Sequence, residues 1–147
     1  MTAYGLEERR ATLARIKTIN AGRAWQGSVL DDYEIPRDAS GRVLPHTVVD
    51  FGAPVRTARD RNLAYTEKHQ PHVLPVSVTC IAGDYDSAQI LAAAMHDLLL
   101  DWAPSDSADA YESKGGYGSR RPSTENVPTR YLEGLFLESV INQGIPD

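Results

Sequence analysis

The clearest hydrophobic pattern in the chain is an alternation. Leu74, Val76, Val78 and Cys80 fall on one side of an extended segment, and Pro75, Ser77 and Thr79 on the other. This predicts a strand over residues 73–81 with one buried face, and it places Cys80 in the core as an inert thiol. Beyond Gly83 the period changes. Leu91, Met95, Leu98 and Trp102 recur at helical spacing, and Ile90 and Ala94 widen the stripe. A helix follows, capped by Asp86 with Gln89 three residues on and closed before Pro104. His96 sits at the edge of its apolar stripe. If Leu98 is fully buried, truncating it to Ala should cost roughly 2–5 kcal/mol.

Upstream, residues 5–20 read as a thinly amphipathic helix. Leu6, Leu13, Ile16 and Asn20 lie on one side, and Glu7, Glu8, Arg9 and Arg10 on the others. The acids suit the positive end of the helix dipole, and Gly22 is a plausible stop. Residues 23–34 are expected to form a first strand anchored by Trp25, Val29 and Tyr33. The segment 36–41 is turn-rich. Residues 43–55 form a second strand region, with Val49 and Phe51 pointing one way and Val48 and Asp50 the other. Pro45 and Pro54 bracket it. Residues 57–71 are polar, with Leu63 and Tyr65 as the only strong apolar contacts, and read as a connection.

Residues 104–128 are dominated by Ser, Asp, Gly and Pro, with Gly115-Gly116-Tyr117-Gly118 at the centre. They read as a long loop, an arm that orders against a partner. Residues 129–141 fit a strand on Tyr131, Leu135, Leu137 and Ile141, interrupted by Glu133 and Ser139. A helical stripe of Leu132, Phe136 and Val140 stays open, although Gly134 disfavours it. Gly144 and Pro146 are expected to end the ordered chain. Together the elements predict one α+β domain over 1–147: a mostly antiparallel sheet, helices packed on one face, and an extended loop at 104–128.

With 147 residues, 41% apolar and 24% charged, the chain can build a single core. Its net charge of −5 argues against general nucleic-acid affinity, which needs clustered cations. The basic groups Arg56, Arg59, Arg61 and Arg120, Arg121 stand in polar segments, solvated or set to meet acids across an interface. The start lacks a basic and then apolar leader, so no signal peptide is expected. The apolar run 90–100 is broken by His96 and Asp97 and is short for a membrane span.

Motifs for chemistry are not found. There is no phosphate loop and no His-Glu-x-x-His, and the glycine run at 115–118 has no predicted strand before it or helix after it. His69 and His72 flank Pro71, which forces an extended turn and does not align two ligands. With His46 they make a poor metal site. Asp84 and Asp86 lack the rest of a calcium loop and suit capping. Asp31, Asp32 and Glu34 suit a solvated loop. The expectation is a protein without catalytic residues, metal or cofactor.

The run His72-Val73-Leu74-Pro75-Val76-Ser77-Val78-Thr79-Cys80, then Gly83-Asp84-Tyr85-Asp86-Ser87-Ala88 and the helix to Trp102, resembles the tail terminator family of long-tailed phages, the lambda-like tail-completion proteins. Pro128-Thr129-Arg130-Tyr131 leading into an apolar segment also fits. The likeness is one of element order and covers about residues 5–142 in outline. The long 104–128 loop departs from a compact family member. The resemblance implies a structural virion protein: a hexameric ring on the head-proximal end of the tail tube. Such a ring stops tube polymerisation and offers the surface for head–tail joining. Its partners would be itself, the major tail tube protein and the head connector, with DNA passing through the lumen without specific binding, and no membrane. Assembly would take place in the host cytoplasm. Loops would supply the interface: Arg37, Arg42, Arg56, Arg59, Arg61, Tyr111, Tyr117, Arg120 and Arg121. Deleting 105–127 would then impair assembly while leaving the monomer folded. The alternatives are another neck or head-closure component, or a small ligand-binding α/β domain. An enzyme would require His46, His69 or Asp50 to gather in one cleft.

Overall fold

The structure, a computed structural model, describes residues 5–27, 35–52, 55–56, 72–117 and 130–141. Along the chain run α1 (Leu6–Ile16), a 3-10 turn (Asn20–Gly22), β1 (Ala24–Gln26), β2 (His46–Phe51), β3 (Val55–Arg56), β4 (His72–Ala82), α2 (Tyr85–Leu99), β5 (Glu112–Tyr117) and β6 (Tyr131–Ile141). The fold is α+β with an open, mostly antiparallel sheet in the order β1-β2-β4-β6-β5. β3 continues the lane of β2 beside β4. The β1–β2 pair is parallel.

The alternating segment forms the spine. β4 pairs with β6 along eleven positions, from His72 opposite Ile141 to Ala82 opposite Tyr131. Leu74, Val76, Val78 and Cys80 are buried, as the alternation predicts, and Leu137 and Val49 join them on the same side. The segment 129–141 is therefore the strand and not the helix. Its two polar interruptions are accommodated: Ser139 is buried and donates to the Asp109 carbonyl at 2.6 Å, and Glu133 stands opposite Cys80. Pro75 lies inside a central strand, where a missing N–H needs an interruption. Its carbonyl accepts from Gly52 N at 2.9 Å. The donor-less side of Pro75 thus faces the break between Phe51 and Val55. Gly52 permits this approach, because a Cβ there would lie 2.4 Å from Pro75 Cγ.

α2 lies on β4 and β6, and α1 packs against α2 and β1. The helix is where it was expected, but its cap and its buried face differ. Asp84, not Asp86, is the N-cap: its φ of −143° is extended, and its Oδ1 accepts from Ser87 N at 2.7 Å. Ser87 Oγ returns a bond to Asp84 Oδ2 at 2.9 Å. Gln89 instead donates to the Tyr85 hydroxyl at 2.7 Å. The buried residues are Ala88, Leu91, Ala92, Met95 and Leu99. Ile90 is 70% exposed and Ala94 is exposed too, so neither widens the core stripe. Leu98 is only partly buried, and Leu99 takes the core position.

α1 ends at Ile16, short of the expected stop at Gly22. It buries Glu8, Thr12 and Ile16, and Glu8 is thereby withdrawn from the exposed face assigned to it. The reason lies in residues 104–111. Ser105 Oγ donates to Glu8 Oε1 at 3.0 Å. Thr12 Oγ1 donates to the Glu8 carbonyl at 2.7 Å and meets the Tyr111 hydroxyl at 2.6 Å. The threonine proton is already committed, so the tyrosine is the donor of that second bond.

Of the segment 104–128, the described residues 104–117 are tied into the fold and are not a partner-dependent arm. Tyr111 N donates to the Trp102 carbonyl at 3.0 Å and Asp109 N to that of Val140 at 2.8 Å. Residues 112–117 form β5 on the edge of β6, with a register shift between Ser113 and Gly116. Gly116 is needed there, since a Cβ would sit 2.2 Å from the Gly134 carbonyl oxygen. Deleting 105–127 would remove an edge strand and Tyr111, and would not spare the monomer. Of the predicted first strand, only 24–26 is seen as strand, and Val29, Tyr33 and the acids at 31, 32 and 34 lie outside the described residues. So do the 57–71 connection with its Leu63 and Tyr65, Gly118, Gly144 and Pro146.

Candidate assembly surfaces

Of the nine residues expected at an interface, the four whose side chains are described, Arg37, Arg42, Tyr111 and Tyr117, do not form one surface. Arg37 and Arg42 lie in the turn that precedes β2, where Arg37 bridges to Val43 and both side chains are exposed. Arg42 forms an ion pair with Asp84, so the turn is clamped to the cap of α2. Gly83 makes room for that clamp: a Cβ would lie 2.8 Å from Arg42 Cγ. Arg56 is placed only as part of the β3 backbone. Arg59, Arg61, Arg120 and Arg121 lie outside the described residues. Tyr111 is a correction. It is fully buried, stacked on Trp102 with centroids 6.2 Å apart, and offers no surface. Tyr117 lies on β5, edge-on to Phe136 with centroids 6.1 Å apart, over the space left by Gly134.

Large apolar side chains are exposed at three described positions: Tyr85, Ile90 and Phe136. Tyr85 and Ile90 stand on α2. Phe136 stands opposite Ser77 in the register, while its neighbour Leu137 stands opposite Val76 in the helix-covered core. Phe136 is therefore on the face of the sheet that the helices do not cover. Each patch has a depression beside it. Next to Ile90 an open groove of about 340 Å³ is lined by Ile19, Asn20, Pro45, Leu91 and Ala94. Next to Phe136 a shallow hollow of about 380 Å³ is lined by Phe51, Pro75, Ser77, Lys114 and Glu138. Sequence periodicity put Ile90 in the core, so this surface was missed. The signal that finds it is the second stripe of α2, Ala88, Leu91, Ala92, Met95 and Leu99, which is equally helical in spacing and leaves Ile90 outside.

The described groups considered for chemistry are dispersed. Cys80 is buried, and loss of water around it pushes its thiol up to about 12, with the Glu133 charge adding to the effect. A thiol so raised is protonated at neutral pH and a poor nucleophile. His46 is buried with Nδ1 2.9 Å from the Leu44 carbonyl and its ring edge-on to Trp25. Asp50 is exposed four residues further on the same strand, about 13 Å along it, too far for one cleft. His69 is outside the described residues. Among the described residues no three of His, Cys, Asp and Glu gather closely enough to hold a metal ion, and no helix is long and apolar enough to cross a membrane.

The His46 environment gives a pH prediction. Burial lowers its pKa below 6.5, opposed by the Leu44 bond and assisted by the charges of Arg130 and Arg23. The folded chain thus prefers the neutral ring. The stabilisation is fully present above the unfolded value of 6.5 and is lost as pH falls from there through the lower folded value. Urea midpoints measured from pH 7.5 to 5 should fall in the wild type and fall less in His46→Gln. Equal slopes for the two chains would refute this assignment.

No protein-family model matches the chain, and no curated protein matches it in sequence. The functional reading therefore rests on the surfaces described above and on the element order.

Proposed function

We propose that this protein is a structural subunit that acts by joining copies of itself into a ring, and that the ring caps the head-proximal end of a phage tail tube. One observation carries the assembly part. The exposed large apolar side chains stand on both sides of a single sheet, Ile90 and Tyr85 on different flanks of α2 and Phe136 on the face that the helices do not cover. A ring with the same joint repeated needs each subunit to carry two unlike surfaces pointing in different directions. Covering these side chains on association removes apolar surface from water, which is favourable. The phage part leans on the order of elements: a helix, a strand region, the alternating strand, an amphipathic helix and a final strand. On this reading the partners are further copies, the tube protein and the head connector, and no reactive side chain takes part.

Light scattering on the purified full chain, alone and with tube protein, tests this. The expected result is a multi-subunit particle with a stain-filled lumen in negative-stain images, and tubes that stop growing when it is added. A chain that stays monomeric at micromolar concentration and leaves tube growth unchanged would refute it. A second reading, a ligand-binding α/β domain, has the groove beside Ile90 in its favour, whose size matches small-molecule sites. A monomeric chain whose melting temperature rises with a small apolar ligand would support that reading instead.

A further inference from the structure

We draw no further inference here: the strongest candidate, the open apolar groove between the 3-10 turn and α2 lined by Ile19, Pro45, Ile90, Leu91 and Ala94, carries nothing, because its polar side chains, Asn20 and Ser87, are bonded within the chain and nothing in the structure shows what covers it.

Discussion

Replacing Tyr111 with alanine should destabilise the protein by about 3–5 kcal/mol, the largest single-residue effect expected here. The ring is fully buried and stacks on Trp102, over which the Arg15 guanidinium lies 4.8 Å from the ring centroid. The same arginine donates its Nε to the Leu98 carbonyl at 2.8 Å. Tyr111 thus joins residues 100–111 to both helices. Tyr111→Phe keeps the packing and removes only the hydroxyl, which donates to Thr12 Oγ1 at 2.6 Å. Thr12 still donates to the Glu8 carbonyl, so the phenylalanine variant should lose about 1 kcal/mol. Burial also pushes the phenol up to about 12, so this bond persists through the physiological pH range. Urea unfolding of the three chains measures the contrast. A Tyr111→Ala loss below about 1 kcal/mol would mean that the residue is not in the core.

The second large effect belongs to Leu99. It has no exposed surface and sits in the cluster with Ile16, Leu74, Met95 and Leu137. Leu99→Ala removes the isopropyl group from the place where α2 meets the sheet, and the backbone of a helix on a sheet can close the gap only in part. A cost of about 2–5 kcal/mol is expected. Leu98, one residue earlier, is only partly buried, so Leu98→Ala should cost clearly less. Thermal or urea melts of the two variants report which leucine faces inward, and hence the rotation of α2 about its axis. Equal losses would contradict the buried face described here.

That rotation shows what the sequence could and could not reveal. The alternation over 73–81 is unambiguous because one face of β4 is sealed by α2 and the other is not. The period of α2 is equally plain, yet its apolar residues span more than half the circumference, so periodicity alone leaves the inward direction free by one residue. The cap fixes it. Asp84 and Asp86 both read as N-caps, and only the extended backbone of Asp84 at the exit of β4 selects between them. β5 was hidden for a different reason. Glu112–Gly116 are exposed, so no alternation marks them, and the strand is held by backbone pairing to β6 around a bulge. Glu8 failed as an exposed charge because its partner, Ser105, is 97 residues distant. Of the expected interface residues, Tyr111 was misplaced because an isolated aromatic ring in a polar stretch reads the same whether it caps a core or meets a partner.

The sheet is threaded so that its latest strand in the chain is an interior one. β6 lies between β4 and β5, and every strand near it precedes it in synthesis. A nascent chain stopped before residue 130 leaves β4 open along eleven positions and gives β5 nothing to pair with. Such contacts are distant in sequence, and their loop-closure cost falls due before any of their stabilisation arrives. On the ribosome the sheet therefore stays incomplete until translation has passed β6. Phe136 belongs to that same strand, so its apolar surface takes shape only in chains whose core is already closed.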